Sequence, residues 1–160
     1  MRNLAVPLIA ALIALAALPA CRSSPAGGDG FRTVAQGYQT GIVGVEARAA
    51  RTEADWRKMW DEHTSTQIPR PAAPRIDFAK EMVVGVFAGE KPTGGYGIEV
   101  VAADFNGTNL VLAVRETNPS EDAIVPMVVT RPYHMIATPI TNAAIRLERR
   151  AEDSRETRSP

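Results

Sequence analysis

Side chains that could carry catalysis or bind a metal are few in this chain of 160 residues, which holds two histidines and one cysteine. His63 and His134 are not spaced as HxxxH, and one cysteine cannot form a CxxC pair, so the common zinc-ligand patterns are missing. No serine lies in a GxSxG elbow, although a triad built from distant residues has no sequence signature. We therefore expect no enzyme, no metal and no cofactor, and a structural or solvent-facing role for each histidine.

A glycine-rich string is the other candidate site. The segment that contains it, from Gly89 to Tyr96, starts like a phosphate-binding loop with Gly89-x-x-x-x-Gly94, but Gly95 and Tyr96 stand where that motif requires Lys and Ser or Thr. A proline that fixes one turn residue precedes two glycines that allow positive φ or a close backbone approach. The string reads Lys91-Pro92-Thr93-Gly94-Gly95-Tyr96. It is either a tight turn between two strands or a turn that also binds a partner.

The start of the chain has the layout of a secretory signal. After Arg2, an almost unbroken apolar stretch runs from Leu4 to Leu18, with no acidic residue before Cys21. This stretch is shorter than the roughly 20 residues that span a bilayer. The string Leu18-Pro19-Ala20-Cys21 resembles the bacterial lipobox, in which the cysteine receives a diacylglyceryl thioether. We therefore predict cleavage before Cys21 and attachment to a membrane through its lipid.

The expected location of the protein is the cell envelope. A single cysteine in an exported protein cannot form an internal disulfide, and its position at the cleavage boundary favours modification. Arg22 stands where some Gram-negative lipoproteins carry an Asp that retains them in the inner membrane. We therefore expect the outer membrane, with the domain facing the periplasm or the cell surface.

Composition excludes some partners and limits the number of domains. Acidic and basic residues balance at 18 each, and no basic cluster exists that would bind nucleic acid. The length that remains after cleavage suits one domain. We predict a signal peptide at 1–20, a flexible tether at 21–30, a single domain at 31–148 and a disordered charged tail at 149–160.

One amphipathic helix is predicted from Thr52, which forms a capping box with Asp55. Residues at helical spacing follow on one face, namely Trp56, Met59, Trp60 and His63. Such a stripe is typical of a helix that covers a sheet. The segment from Ile68 to Pro74 holds three prolines and is expected to be a stiff connector.

The rest of the domain is expected to be β structure. A weak pattern between Phe31 and Arg51 is interpreted as one hairpin. Stronger patterns predict strands at 82–87, 97–105, 109–116, 124–130, 133–138 and 145–147, with a turn at Asn106-Gly107. The predicted fold class is α+β, mainly β: an antiparallel sheet or small sandwich with one amphipathic helix packed on it.

Four strings together resemble a known bacterial family. They are Trp56 to Trp60, Asp77-Phe78 with Glu81 to Val84, Gly89 to Tyr96, and Thr130 to His134. The family is named after the C-terminal domain of PrcB, a lipoprotein subunit of a surface protease complex, and the resemblance covers roughly residues 31–147. It implies an accessory or assembly subunit that contacts another exported protein.

A second resemblance gives an alternative function. Lys91 to Tyr96 and Arg131-Pro132-Tyr133 are similar to loops of chagasin-like inhibitors of cysteine proteases, which are Ig-like sandwiches. The departures are Lys91 for Asn, Gly94 for Thr and Tyr133 for Trp, and the glycine-rich middle loop is missing. Three predicted strands separate the two motifs, and this odd number of crossings places them at opposite ends of the sheet. An inhibitor needs them at the same end, so an accessory binding module is preferred.

The same counting of strands predicts where a partner binds. Two predicted strands separate the glycine-rich string from the loop at Asn118 to Asp122, so both loops should share one end of the sheet. Loops held by a rigid scaffold commonly bind, and their prolines lower the entropy lost on association. The predicted binding residues are Lys91, Pro92, Thr93, Gly94, Gly95, Tyr96, Asn118 and Pro119. The expected partner is another exported protein, with no nucleic acid and no small-molecule substrate.

Overall fold

The computed structural model describes residues 30–150. Within them the elements are β1 Arg32–Gly37, β2 Val45–Ala50, α1 Glu53–His63, β3 Glu81–Ala88, β4 Gly97–Phe105, β5 Asn109–Thr117, β6 Tyr133–Pro139 and β7 Ala144–Arg150. The predicted signal peptide, Cys21 and almost all of the tether lie outside the described residues, as does the tail from residue 151. No helix between residues 30 and 150 is long and apolar enough to cross a membrane.

The strands form two sheets that face each other. One has four strands in the order β1-β6-β3-β2, and the other has three in the order β4-β5-β7. Neighbouring strands are antiparallel, except that β7 runs parallel to β5. Helix α1 packs on the face of the four-stranded sheet that points away from the three-stranded one. The predicted fold class, mainly β with one helix on a sheet, is confirmed.

Strand β3 explains how the two cores are separated. Its side chains alternate between the faces of the sheet. Met82, Val84 and Val86 join the core between the two sheets, whereas Val83 and Phe87 join the core under the helix. A strand buried on both faces needs an unbroken apolar sequence, which is the pattern that predicted this strand.

The helix is anchored at its start and along its buried stripe. Oγ1 of Thr52 accepts a hydrogen bond of 3.1 Å from the backbone N–H of Asp55, so the predicted cap is confirmed. All four stripe residues are buried. The indole N–H groups of Trp56 and Trp60 donate 2.9 Å hydrogen bonds to the carbonyls of Pro74 and Pro71. The proline-rich connector therefore lies across the helix and satisfies both buried indoles.

The hairpin predicted between residues 31 and 51 is wrong. β1 pairs with β6 and β2 pairs with β3, so the two strands lie at opposite edges of the four-stranded sheet. The central positions bury both faces of a strand, and β3 and β6 have the apolar residues for this. β1 and β2 are only partly buried and occupy the edges.

The strand predicted at 124–130 is also wrong. Only Thr130 makes a β-bridge, with Lys91, and the large apolar residues before it are exposed except Val125, which is half-buried. Pro126 lacks an N–H group and cannot donate to a sheet ladder, which disfavours a strand there. At the other boundary, β7 includes Arg149 and Arg150, which the sequence assigned to the tail. Their pairing with Val114 and Arg115 of β5 extends the domain to residue 150.

Candidate functional site

Three connections meet at one end of the sandwich. β1, β3 and β5 end there, and β2, β4 and β6 begin there. The connections are residues 38–44, 89–96 and 118–132. We call these three connections, together with Val45 at the start of β2, the loop end. The predicted binding residues all lie within these connections.

The glycine-rich loop and the loop after β5 are joined by backbone hydrogen bonds. Lys91 and Thr130 exchange two such bonds, of 2.8 and 3.0 Å, and the N–H of Gly94 donates to the carbonyl of Pro126 at 2.8 Å. The hydroxyl of Thr130 donates to the carbonyl of Thr93 at 2.8 Å. The two loops do share one end of the sheet, as the strand count predicted, while their role in binding stays a prediction.

The two glycines are required by this packing. Gly95 has a φ of +83°, and a β-carbon there would lie 2.8 Å from Cγ1 of Val125 and 2.9 Å from Cβ of Pro119. A β-carbon at Gly94 would lie 2.9 Å from Cδ of Pro126. All three distances are too short for real contacts, so only glycine lets the second loop approach this closely. The glycines therefore do more than permit a turn between strands.

The predicted binding residues differ in their exposure. Pro92, Gly95 and Asn118 are exposed, Gly94 is buried, and Lys91, Thr93, Tyr96 and Pro119 are half-buried. The ammonium group of Lys91 lies 5.6 Å from the ring centroid of Tyr96, within the range of a cation–π contact. Tyr96 thus keeps one face against Lys91 and remains partly accessible to a partner.

An uncharged groove of about 440 Å³ opens beside the glycine-rich loop. Residues 94–97 and Tyr38 line it. Pro126 and Val128 complete an apolar lining to which Thr117 and Thr130 also contribute. Tyr38 is 61% exposed and was missed by sequence reasoning, because no motif marks it.

Exposed apolar side chains are concentrated at the loop end. Of the eleven large apolar residues that are exposed among residues 30–150, seven lie there: Tyr38, Val43, Val45, Ile124, Met127, Val128 and Val129. Ile124 and Met127 have exposures of 103% and 88%. Single exposed apolar residues are ordinary, whereas larger exposed apolar patches are typical of interaction surfaces. Sequence reasoning missed the exposed residues of this segment because it placed residues 124–130 in a strand of the sheet.

The Arg-Pro-Tyr string lies directly beside the glycine-rich loop, so its predicted place at the opposite end is wrong. The count of crossings was too high by one, because residues 124–130 do not form a strand. Arg131 pairs with Glu90 at 2.7 Å, and its N–H donates to the carbonyl of Tyr38. Pro132 and Tyr133 are buried, and the Tyr133 ring lies 4.4 Å from that of His63.

Both histidines have structural partners. Nδ1 of His63 is hydrogen-bonded to Oγ1 of Thr40 at 2.9 Å, and burial lowers the pKa of His63 to about 4. Nδ1 of His134 accepts a 2.9 Å bond from the N–H of Val100, so its Nε2–H donates to Oγ1 of Thr33. Burial lowers the pKa of His134, and the charge of Glu99 partly opposes this. Within residues 30–150 no group of three or more metal-binding side chains occurs.

His134 also covers an open sheet edge. β4 is the edge strand of the three-stranded sheet. Its Val100 N–H is bound by His134, and its Ile98 carbonyl accepts a 3.4 Å bond from the amide of Gln36. Two side chains of the four-stranded sheet therefore form hydrogen bonds with backbone groups of β4 that could otherwise pair with another strand.

Part of the chain matches a known protein family. Residues 82–139 match the family model described as PrcB C-terminal. No curated protein and no solved structure matched the chain. The matched region runs from β3 to β6 and contains two of the three connections of the loop end in full. The predicted resemblance is confirmed over these residues.

Proposed function

We propose, from the PrcB C-terminal match, that this protein is a non-catalytic accessory subunit that binds another exported protein, as part of a protease complex. The observation that carries the proposal is the cluster of exposed apolar side chains at the loop end. The matched region contains most of this cluster. A surface of this kind suits contact with another protein.

The rigidity of the loops supports binding through them. Association costs free energy when mobile loops become ordered. Here the bonds among Lys91, Gly94, Pro126 and Thr130 already fix both loops. The exposed side chains of Ile124, Met127, Val128 and Val129 are thus presented on a backbone that needs little ordering. A partner that buries them gains hydrophobic stabilisation at low entropic cost.

Membrane attachment through Cys21 belongs to the same proposal, on the evidence of Leu18-Pro19-Ala20-Cys21. We expect globomycin to block cleavage before Cys21 and the variant Cys21→Ser to prevent attachment of the lipid, so that the uncleaved precursor accumulates in both cases. Ser23→Ala, two residues away, serves as the matched control and should be processed normally. Normal processing of Cys21→Ser would exclude lipidation at this position.

Partner capture tests the binding surface. The protein is crosslinked in cells and purified from membranes as wild type and as Lys91→Ala with Thr93→Ala. We expect this variant to retain less partner with an unchanged melting temperature, because neither side chain is fully buried. Lys58→Ala with Thr108→Ala, at exposed positions away from the loop end, is the matched control. If the variant Lys91→Ala with Thr93→Ala captured the partner at wild-type strength, these two side chains would not be part of the binding surface.

Inhibition of cysteine proteases is the second candidate function. The adjacency of Lys91 and Arg131, on neighbouring loops, favours it, because an inhibitor needs both motifs at one end. The burial of Pro132 and Tyr133 disfavours it, since those side chains cannot reach an enzyme. An assay with papain separates the two functions. Inhibition that is lost in the variant Arg131→Ala would favour the inhibitor, and absence of inhibition favours the accessory subunit.

A further inference from the structure

The charges of the loop end indicate what kind of segment binds there. Its three connections contain the acidic residues Glu90, Glu121 and Asp122 and the basic residues Lys91 and Arg131. Arg131 is paired with Glu90, and Lys91 lies against the ring of Tyr96. Both basic side chains are therefore engaged within the molecule.

The remaining carboxylates lie at the tip of a projecting turn. Pro119 and Val125 both pack against Gly95, so residues 120–124 loop outward between them. The N–H of Ala123 closes this turn with a 3.0 Å bond to the carbonyl of Ser120. Glu121 and Asp122 are exposed, and neither forms an ion pair with a residue of the described region, 30–150. Lys91 keeps its positive charge against the ring, but with three acidic and two basic residues the net charge of the loop end is still negative.

The groove favours a bound segment that carries an apolar side chain. No charged side chain lines it, and a volume of about 440 Å³ holds one or two apolar side chains rather than a folded element. Ile124 and Met127 do not line the groove, yet both are almost fully exposed at the same end. A small molecule in the groove would leave these side chains uncovered. A polypeptide that extends beyond the groove would cover them.

We infer that the loop end binds an extended segment of the partner protein, which places an apolar side chain in the groove and a lysine or arginine beside Glu121 and Asp122. This inference rests on the proposed accessory function and narrows it to one class of partner. The charge also disfavours the other occupants. A second copy of the chain would bring the same carboxylates together, and an anionic membrane would repel them.

Two labelled peptides test the inference on the full lipidated chain in neutral detergent. One contains Leu-Lys-Val-Lys and the other Leu-Glu-Val-Glu, and binding is measured by fluorescence anisotropy. We expect the lysine peptide to bind about tenfold more tightly, as two exposed ion pairs allow. Glu121→Lys with Asp122→Lys should reverse the preference. Asp61→Lys with Asp104→Lys, which changes the net charge equally at exposed sites elsewhere, should not.

The outcomes separate this inference from the proposed function. Equal binding of the two peptides, binding of neither, or a reversal in the Asp61 and Asp104 control would overturn the inference. Self-association in sedimentation, or binding to phosphatidylglycerol vesicles, would also overturn it if either were abolished by changes at the loop end. In each case, loss of partner capture by Lys91→Ala with Thr93→Ala would leave the accessory function standing.

Discussion

Apolar side chains are buried at the helix-covered face of the four-stranded sheet and exposed at the loop end of the sandwich. Under α1, Trp56 and Trp60 pack on Val83 and Phe87 and are almost inaccessible. At the loop end, Met127 and its neighbours are exposed, although hydrogen bonds fix the backbone around them. The first arrangement stabilises the fold. The second keeps apolar surface available without letting the loop collapse, so changes there should affect binding more than stability.

The largest effect on stability is expected on the helix side. Trp60→Ala removes a side chain that is 7% exposed and leaves the carbonyl of Pro71 without its indole donor. We expect the free energy of unfolding to fall by about 3–5 kcal/mol. Urea denaturation measures the change. A fall below about 1 kcal/mol would mean that the tryptophan cluster is not a principal source of stability.

Acid should weaken the same side of the molecule. The pKa of His63 is about 4 in the fold and about 6.5 in an unfolded chain. The unfolded state therefore binds the proton first. The contribution of neutral His63 is complete above pH 6.5 and is lost as the pH falls towards 4. His134 acts in the same direction.

For His63 the loss amounts to at most about 3 kcal/mol. Urea denaturation at several pH values between 7 and 4 measures it. The variant His63→Gln should show a weaker dependence on pH in this window. An unchanged pH dependence in that variant would contradict the role of His63.

A smaller effect should come from the glycine that holds the loops together. Gly95→Ala adds a β-carbon at positive φ and against Val125 and Pro119. Gly107 also has positive φ, +90°, but nothing within 4 Å, so Gly107→Ala is a control for backbone strain alone. We expect about 1–2 kcal/mol of destabilisation at the control and more at Gly95. Only Gly95→Ala should weaken partner capture. Equal effects would show that packing between the loops is unimportant.

The smallest effect on stability should accompany the largest loss of binding. Met127→Ser with Val128→Ser changes exposed side chains and should alter the free energy of unfolding by less than about 0.5 kcal/mol per residue. Partner capture should nevertheless fall at least about tenfold, because these side chains are uncovered in the free protein. Phe105→Ser with Leu147→Ser, also exposed, is the control. If the variant lost more free energy of unfolding than free energy of partner binding, the exposed residues of the loop end would be stabilising the fold as the buried residues under α1 do.

The elements that could be predicted from the sequence are those whose pattern lies within a few neighbouring residues. Helix α1 follows from a cap and a stripe within twelve residues, Thr52–His63, and the β4–β5 hairpin follows from Asn106-Gly107. The positions of β1 and β2 depend on competition with β3 and β6 for the sheet centre, which no short pattern records.

The residues of the candidate site were identified from the sequence only in part, for the same reason. The glycine-rich string and Pro119 were found because turn residues have a local signature. The exposed apolar residues between 124 and 129 were not found, because a run of apolar and β-branched residues has the same sequence pattern whether it is buried or exposed. Pro126 was the one local sign against a strand.

The cover that Gln36 and His134 place over β4 has a consequence for solubility. An open strand edge is a template on which other chains can pair, and proteins protect such edges to avoid aggregation. Here the protection depends on a neutral imidazole, because Nδ1 of His134 can accept the N–H of Val100 only when it carries no proton. A proton on that nitrogen would expel it from the edge. Acidification should therefore promote edge-to-edge assembly of this protein as well as lower its stability.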